Sequence, residues 1–330
     1  MISVIIPNRN GESLLPTCLN SLAGQNHSDY EVIVVDNHSW DGSLDLLRSK
    51  YDWVRVTAME TQKSISTLCN AGIRIAKGDL LFFLNNDTEV HPDCLKEMEW
   101  IPGLGSCAPL VLSFHFRTLI DSVGLCVRTD GRAENYLGGR PVEEAPPDRT
   151  VLLGPAGSAC LYRKSVVQEI GGWDEDYDFY YEDVDLALRA RMKGYGCAFC
   201  RNAVVYHMGG ATLNPQSERG NLPAKSRQYF YFTLRNSLLC LAKNFPWPLI
   251  LQSIPSILLV ESALFLESLK RGYLSTWLRS RFDCLFLLPL FLEKRGRTGP
   301  RKAEAMTALR SLMLKPDWTF YKERAERLFR

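Results

Sequence analysis

The sequence predicts an α/β fold in which helices flank an open, mostly parallel sheet, followed by a C-terminal helical extension. Three observations predict it. Short β-type runs alternate with helical patterns through the first hundred residues. Two of those runs are continuously apolar, as strands covered on both faces must be. Polar clusters follow three of them. Strand–helix–strand alternation indicates right-handed crossovers and therefore a parallel sheet.

The first four predicted strands are Ile2–Pro7, Glu31–Asp36, Val54–Ala58 and Asp79–Asn85. Between them, apolar residues recur at helical spacing. The predicted helical stretches are 14–22, 44–47 and 68–76. No G-x-G-x-x-G motif follows the first strand, so a Rossmann dinucleotide site would lack its phosphate turn.

Polar residues follow the first, second and fourth strands. Asn8-Arg9-Asn10-Gly11 follows the first strand, the segment 36–43 follows the second, and Asn85-Asn86-Asp87 follows the fourth. Ligands of such sheets bind beyond the carboxyl ends of the strands, which favours a binding site here. The alternative is that these residues only form turns and helix caps.

The following segment, 113–150, carries scattered Gly and Pro and predicts a hairpin and a loop. An acidic and aromatic run, 178–185, leads into a predicted helix over Leu186–Lys193. A last strand, Ala198–Tyr206, ends at His207. We expect a first domain over 1–224, divided into two halves, 1–112 and 113–224, and a helical tail over 225–330.

Charge is unevenly distributed between these two parts. Residues 225–330 hold 19 Lys and Arg against 8 Asp and Glu, whereas residues 1–224 hold 20 against 29. The acidic front disfavours a nucleic-acid partner. Most of the ten cysteines stand in apolar runs, as reduced core thiols do, and Cys197 and Cys200 form a C-x-x-C without a second pair. With a strand instead of a signal peptide at the N-terminus, these features favour the cytoplasm.

Five landmarks carry a family resemblance. They are Ser3-Val4-Ile5-Ile6-Pro7-Asn8-Arg9-Asn10, Val35-Asp36-Asn37, Phe83-Leu84-Asn85-Asn86-Asp87-Thr88-Glu89, Tyr181-Glu182-Asp183-Val184-Asp185-Leu186 and Val205-Tyr206-His207. From Ser3 to Gly210 the chain resembles the family 2 glycosyltransferases of the GT-A fold, especially their rhamnosyltransferase-like branch. The resemblance implies an inverting transfer from a nucleotide-diphosphate sugar, such as dTDP-rhamnose or a UDP-hexose. The implied acceptor is a saccharide or polyprenyl-linked molecule in bacterial surface polysaccharide synthesis. The resemblance makes the expected domain over 1–224 catalytic, with a nucleotide-sugar half (1–112) and an acceptor half (113–224).

This chemistry calls for a divalent cation, Mg²⁺ or Mn²⁺, because a diphosphate leaves with concentrated negative charge. The resemblance implies Asp87 and His207 as metal ligands. Asn85 replaces the first Asp of the family's D-x-D motif, which leaves Asp87 as the motif's one carboxylate. The alternative for His207 is a structural role.

An inverting transfer also needs a base beside the acceptor hydroxyl. The pair Glu182 and Asp183 is expected to be catalytic, and the resemblance assigns the base to Asp183. Asp185 is the alternative base, although its position also suits charge stabilisation at a helix N-terminus.

The remaining expected site residues follow from the resemblance. The nucleotide-sugar residues are Pro7, Asn10, Asp36, Asn70, Asn86 and Asp87. Trp173 and Asp174 are expected to bind the acceptor, with core packing as the alternative for Trp173. Gln62-Lys63-Ser64-Ile65 departs from the family pattern, which predicts an unusual donor preference.

The tail contains two apolar segments, Phe245–Val260 and Cys284–Leu292, both shorter than the ~20 residues of a spanning helix. Cations bracket them: Lys270, Arg271, Arg279, Arg281, Lys294, Arg295, Arg297, Arg301 and Lys302. Such segments favour helices resting on an anionic membrane surface, at the inner face of the cell membrane. The alternative is a helical packing subdomain or a homodimer interface.

Two rival functions remain. A sugar-nucleotide nucleotidyltransferase would need a Gly-rich, basic phosphate loop after the first strand, and 8–11 fits that poorly. A catalytically inactive sugar-nucleotide-binding or scaffold protein of a polysaccharide assembly complex is supported only by Asn85.

Overall fold

The computed structural model describes residues 1–98, 103–209, 226–297 and 303–314. The expected domain boundary at 224 and 225, the Gly210 end of the resemblance and the tail cations Arg301 and Lys302 lie outside these residues. The elements before the first gap are β1 (Ile2–Asn8), α1 (Leu15–Ala23), β2 (Tyr30–Asp36), α2 (Ser43–Lys50), β3 (Arg55–Ala58), α3 (Ile65–Ile75), β4 (Leu80–Leu84), β5 (Thr88–Val90) and α4 (Cys94–Glu97).

The middle of the chain contains short strands and two longer ones. Its strands and α-helices are β6 (Leu104–Ser113), β7 (Ile120–Ser122), β8 (Leu125–Val127), β9 (Ala133–Asn135), β10 (Ala159–Arg163), α5 (Lys164–Glu169), α6 (Glu182–Met192) and β11 (Gly196–His207). Two 3₁₀ turns lie at Val142–Glu144 and Glu175–Tyr177. The predicted hairpin is β8 paired with β9. Helix α6 begins four residues earlier than predicted, so Glu182 and Asp183 are its first two residues.

In the described residues a nine-stranded sheet has the order β3-β2-β1-β4-β10-β6-β11-β5, with β7 beside β6. Strands β1 to β4 are parallel, as predicted. The whole sheet is mixed instead of mostly parallel, because β10 runs antiparallel to both β4 and β6. Parallel neighbours need a long crossover, and β10 is preceded by loop instead of a crossover helix. As a result, the start of β10 lies beside the carboxyl end of β4.

The continuous apolar strands are covered on both faces, as predicted. In β2, Val32 and Val34 pack into one core cluster with α1, whereas Ile33 and Val35 pack into another with α3. The close approach of α3 to β1 depends on Gly72, where a Cβ atom would lie 2.4 Å from the side chain of Ile5.

The tail is helical, as predicted. Its helices are α7 (Arg227–Asn244), α8 (Trp247–Lys270), α9 (Leu274–Arg297) and α10 (Ala303–Leu312). It shares its core with the acceptor half: Leu239, Phe245 and Phe291 pack in one cluster with Tyr177 and Tyr181. Removing the tail would therefore expose apolar surface of the preceding residues.

Helix α8 corrects one expectation about the tail. The uncharged segment is only part of a 24-residue helix that continues past Glu261 to Lys270. By length and composition alone, α8 could cross a membrane, and it is the one helix in the described ranges of which this holds. In its most apolar window, 22% of the residues are buried. The ten cysteines are all buried and free of disulfides, as expected of core thiols.

Candidate functional site

The carboxyl ends of β1, β2 and β4 are joined by a chain of buried amide and carboxylate side chains. Asn86 Nδ2 donates to Asn8 Oδ1 at 2.8 Å, and Asn8 Nδ2 donates to Asp36 Oδ2 at 2.9 Å. A Cβ atom at Gly11 would lie 2.1 Å from Asn8 Oδ1, so only glycine fits beside this chain. The structure thus brings Asp36 and Asn86 together, linked by Asn8.

Asn10 links the turns after β1 and β2. Its φ is 49°, its N–H donates to Ser39 Oγ at 2.8 Å, and its Oδ1 accepts from the Trp40 N–H at 3.1 Å. Trp40 is 73% exposed, with the Arg9 guanidinium 5.0 Å from its ring centroid. Pro7 lies in β1 opposite Val35. Both predicted residues therefore lie at or beside this edge.

His207, at the end of β11, lies between two carboxylates. Its Nε2 is 3.2 Å from Asp87 Oδ1, and its Nδ1 is 3.0 Å from Asp121 Oδ2 on β7. Burial disfavours the charged imidazole, but Asp87 and Asp121 outweigh it and hold the pKa of His207 well above its usual value. Asn85 Nδ2 lies 3.4 Å from Nε2, on the same side as Asp87.

Asp87 and His207 suit a divalent cation with few protein ligands. Within the described ranges, no group of three or more His, Cys, Asp and Glu side chains is arranged to hold a metal ion. Asp87 Oδ1 and His207 Nε2, 3.2 Å apart, are nevertheless spaced as neighbouring ligands of one cation with bonds of about 2.1 Å. Such a cation would displace the proton that Asp87 and Asp121 favour on the imidazole. Mg²⁺ usually keeps several waters and takes one or two carboxylates together with substrate phosphates. The donor set therefore fits an open site that substrate oxygens complete.

The pair Glu182 and Asp183 lies at the same sheet edge. Asp183 Oδ2 accepts from the Gly157 N–H at 2.8 Å, and the next residue, Ser158, accepts from the Asn85 N–H at 3.0 Å. One short backbone segment thus joins the carboxylate pair to the Asn85–Asp87 turn. Glu182 Oε2 is buried without a hydrogen-bond partner among the described residues.

Burial gives the two carboxyl groups unequal acidity. Burial, followed by the nearby charge of Asp183, raises the pKa of Glu182 to about 8. Burial also raises the pKa of Asp183, but the N–H groups of Gly157 and Val184 oppose that change. Within this pair the N–H groups therefore favour the negative charge on Asp183, and burial without a hydrogen-bond partner favours the proton on Glu182.

Asp185, the alternative base, is used internally. It is completely buried, and its oxygens lie 2.7 Å from Arg189 Nε and 2.7 Å from Lys243 Nζ, with Tyr177 and Asn244 as further donors. Burial would raise the pKa of Asp185, but Arg189 and Lys243 outweigh it and hold the pKa far below its usual value. This arrangement favours a structural role.

Two predicted site residues, Trp173 and Asp174, lie in the loop between α5 and α6, and a third, Asn70 of α3, contacts that loop. Asn70 Nδ2 donates to the Trp173 carbonyl at 2.9 Å, and Asn70 Oδ1 accepts from the Trp173 N–H at 2.9 Å. The Trp173 ring is 4% exposed and packs edge-on against Phe83 at 5.0 Å, so it is packed as the core alternative describes. Asp174 pairs with Lys243 at 2.6 Å and with Lys294.

Asn70, Trp173 and Asp174 were expected to bind the donor or the acceptor. Instead, the polar groups of Asn70 and of the loop pair with one another and with the tail. The loop borders a cavity of about 500 Å³ whose lining includes Asn70, Trp173, Asp174, Lys243 and Lys294. None of Asp87, Asp183 and His207 lines this cavity.

The family follows from two matches. A family model described as "Glycosyl transferase family 2" matches residues 3–99, and one described as "Glycosyl transferase family group 2" matches residues 80–292, more than half of the chain. The chain belongs to the family 2 glycosyltransferases. This is a family of transferase enzymes, as the sequence landmarks implied.

Related sequences agree with this assignment. The glycosyltransferase AglE of Haloferax volcanii is 34% identical over 220 residues, 62% of this chain and 66% of AglE. The amylovoran biosynthesis glycosyltransferase AmsB of Erwinia amylovora is 27% identical over 220 residues, 62% of this chain and 69% of AmsB. Protein y4gI of Sinorhizobium fredii is 28% identical over 230 residues, 64% of this chain. The match spans only 25% of y4gI and just under two thirds of AglE.

Solved structures identify the fold as GT-A, as expected. GalNAc-T7 with UDP, GalNAc and Mn²⁺ has a TM-score of 0.57 at 16% identity, over 74% of this chain and 48% of that one. Residues 1–349 of S. aureus TarS, in complex with UDP-GlcNAc, have a TM-score of 0.53 at 17% identity, over 94% of this chain and 90% of that one.

Sequence reasoning missed Asp121 in this family 2 glycosyltransferase. It contacts the imidazole nitrogen that faces away from Asp87, which is how carboxylates commonly orient metal-binding histidines. No motif surrounds it. Its one sequence signal is a carboxylate between the apolar residues Ile120 and Val123.

The raised pKa of Glu182 predicts a pH-dependent stability. The folded protein keeps a proton that the unfolded chain releases between pH values of about 4.5 and 8, so folding loses stability over that range as pH rises. Glu182→Gln has no such loss. We expect its melting temperature, relative to wild type, to rise between pH 5 and pH 8.5. Thermal unfolding at both pH values measures this, and a constant difference contradicts the raised pKa.

Proposed function

We propose that this chain is an inverting glycosyltransferase that moves a sugar from a nucleotide-diphosphate donor to a saccharide or lipid-linked acceptor in polysaccharide biosynthesis. The observation that carries the proposal is the backbone link through Gly157 and Ser158. Through this link Asp183 lies at the same sheet edge as Asp87 and His207. A base and a diphosphate-binding group at one edge are the two parts that this reaction needs.

The proposed step uses Asp183 as the base. Its carboxylate accepts the proton of the acceptor hydroxyl while the hydroxyl oxygen bonds to the anomeric carbon of the donor. The bond from that carbon to the diphosphate oxygen breaks, and the diphosphate leaves with the electron pair. Neutral Glu182 adds no second negative charge beside Asp183. A divalent cation held by Asp87 and His207 would stabilise the charge of the departing diphosphate.

The donor side is assigned to the linked amides and carboxylate at the ends of β1, β2 and β4. Asp36, Asn10, Asn86 and Pro7 lie there. Carboxylate oxygens are the acceptors that nucleobase N–H groups need, although those of Asp36 accept here from Asn8 and Ser39, so a nucleobase would share or replace these donors. UDP and UDP-GlcNAc in the TarS structures, and GDP-Man with Mn²⁺ in PcManGT of Pyrobaculum calidifontis, support a nucleotide-sugar donor. dTDP-rhamnose and UDP-hexoses are the donors to test first.

Asn70, Trp173 and Asp174 receive a different part in this proposal. Their polar groups bond to one another and to the tail. We therefore assign these residues to holding the loop between α5 and α6, and not to direct substrate contact.

The direct test is a screen of sugar nucleotides for release of the nucleoside diphosphate, with saccharide acceptors and with Mg²⁺, Mn²⁺ or EDTA. The proposal expects release from at least one donor that depends on acceptor and metal. Binding of sugar nucleotides without release, across the whole screen, would instead favour the inactive scaffold.

We also propose that the exposed face of α8 and α9 rests on a membrane surface. Leu251 and Leu258 of α8, and Phe282, Leu285 and Phe286 of α9, are each more than 60% exposed. An apolar face of this kind on two adjacent helices is typical of a membrane or protein contact. A lipid-linked acceptor would reach the enzyme at such a surface.

Several cations that the sequence assigned to the membrane are used internally. Arg281 pairs with Glu261 at 2.6 Å, Lys294 pairs with Asp174, and Arg295 donates to the Ala242 carbonyl at 2.7 Å. Lys270, Arg271 and Arg279 lie on the surface. In this proposal the exposed apolar side chains therefore contribute more to membrane binding than the exposed cations do.

The membrane proposal predicts vesicle binding that high salt weakens only in part. Replacing two exposed rings, Phe282→Asp with Phe286→Asp, should weaken binding to anionic phospholipid vesicles by about 10²-fold or more, because each buried aromatic contributes ~1.5–3 kcal/mol. Phe116→Asp, at another exposed ring, is the control and should bind as wild type does. Vesicle flotation at 50 mM and 500 mM salt provides the measurement.

Other outcomes separate the alternatives. If α8 crosses the bilayer, the double variant will still require detergent for extraction. If the face is a homodimer interface, wild type will sediment as a dimer, ignore vesicles and become monomeric in the double variant.

A further inference from the structure

The turn that leads into α6 has an unusual backbone. Asp178, Tyr180 and Tyr181 have φ values of 63°, 64° and 73°. Residues other than glycine are strained in such conformations and keep them only where surrounding contacts require it. Glu182 and Asp183 follow directly, so this turn decides where both carboxylates stand.

Asp178 is the centre of a γ-turn of the rare positive-φ type. Its ψ is −72°, and the Phe179 N–H donates to the Tyr177 carbonyl at 2.9 Å. This turn type is strained in L-residues. Glycine would adopt the same φ without the steric cost of a Cβ atom.

One tail residue places its side-chain amide within hydrogen-bond distance of three carbonyls of this turn, which share its two N–H donors. Asn236, on α7, is completely buried, and its Nδ2 lies 2.8 Å from the Tyr177 carbonyl, 2.7 Å from that of Phe179 and 2.8 Å from that of Tyr180. These carbonyls are displayed to a side chain because the turn does not bond as a helix does. Without the Asn236 amide, carbonyl acceptors of this turn would lose a hydrogen-bond partner, which is costly for buried groups.

The adjacent residue strengthens the contact. Arg235 Nη2 donates to the Tyr177 carbonyl at 2.7 Å and pairs with Asp178 at 3.1 Å. Farther along α7, Lys243 and Asn244 bond to Asp185 and not to the turn. Helix α7 therefore fixes α6 at two separate places.

We propose that Asn236 is a positioning residue for the Glu182–Asp183 pair. Its amide holds residues 177–181 in their strained conformation and so sets the start of α6 and the direction of both carboxylates. The catalytic meaning of this contact rests on the proposed function. The role of Asn236 in holding the turn does not depend on that function. Through this contact the tail helix α7 helps to position the candidate site.

The experiment compares three variants of the full chain. Asn236→Ala should lower kcat by about 10²-fold with the donor KM within a few-fold, because a displaced reacting group costs rate more than binding. Asn244→Ala is the matched control: a buried amide is lost from the same helix, but the turn keeps its bonds. Asp178→Gly in the Asn236→Ala background should recover much of kcat, since glycine needs no support at positive φ.

Hydrogen exchange gives a second readout that needs no substrate. The peptide containing 177–183 should exchange at least ~10-fold faster in Asn236→Ala, return toward wild type with Asp178→Gly, and change little in Asn244→Ala. Equal losses of kcat in Asn236→Ala and Asn244→Ala, without glycine rescue, would overturn the inference. If wild type turns over no donor, the proposed function fails, and the exchange data alone decide whether Asn236 holds the turn.

Discussion

Asp183→Asn should cut turnover by roughly 10²–10⁴-fold, the usual contribution of a positioned base, while donor binding stays within a few-fold of wild type. The amide is isosteric with the carboxylate and keeps an oxygen for the Gly157 N–H, so the fold should persist. The variant loses the capacity to take a proton and one of the two N–H contacts, since Val184 N–H donates to the other carboxylate oxygen at 2.8 Å. Steady-state kinetics and calorimetric titration with the donor nucleotide measure the two effects separately.

Asp185→Asn is the matched control, because it makes the same chemical change two residues away. Asp185 is buried against Arg189 and Lys243, and breaking such a pair leaves uncompensated charge. It should cost about 3–5 kcal/mol of unfolding free energy, with kcat of the folded fraction near wild type. The reverse pattern, a stable Asp185→Asn without turnover and an active Asp183→Asn, would make Asp185 the base.

The first half of the fold could be predicted because its signals are local. The buried runs of β2 and β4 and the helical spacing between strands identify each element without knowledge of the rest. The direction of β10 could not be predicted, since it depends on where a loop returns the chain to the sheet. The sequence of a short apolar strand is the same whether its neighbours are parallel or antiparallel.

The candidate site divides in the same way. Asp36, Asn86, Asp87, Asp183 and His207 follow strands or begin a helix, so their motifs also predicted their place at one edge. The structure departs from expectation where a polar side chain could bind either a ligand or another group of the protein. Asn70 and Asp174 bond within the protein, and nothing in their sequence neighbours distinguishes the two outcomes.

The tail was the least predictable part. Its composition predicted helices, but the ion pairs that form in the folded protein decide which of its Lys and Arg side chains are exposed to solvent. The Lys243 side chain is 4% exposed and lies between the carboxylates of Asp174 and Asp185, which precede the tail. Lys294 also pairs with Asp174. The net charge of the tail suggested that these lysines are exposed, whereas in the structure their ion pairs hold the tail against the preceding residues.

Asp87→Ala should weaken metal-supported binding of the donor nucleotide by about 10²-fold or more. Even partners outside the direct ligands of a metal typically contribute 10–100-fold to its affinity, so loss of the carboxylate ligand should cost at least as much. Titration of the nucleoside diphosphate with Mn²⁺ should show the defect, and titration in EDTA should not. His207→Ala should show a milder defect, because neutral imidazole is a poorer ligand than carboxylate for hard cations.

Glu89→Ala is the control for charge alone. Glu89 lies two residues from Asp87 on the neighbouring strand, and its carboxylate pairs with Arg117 at 2.7 Å. Removing it deletes one negative charge near the site and leaves His207 untouched, so Mn²⁺-supported binding should stay within a few-fold. If Asp87→Ala and Glu89→Ala weaken binding equally, the effect is general electrostatics. If wild type binds nucleotide equally well with Mn²⁺ and with EDTA, the pairing of Asp87 with His207 is a structural contact, and the departing diphosphate must be stabilised by other groups at this sheet edge.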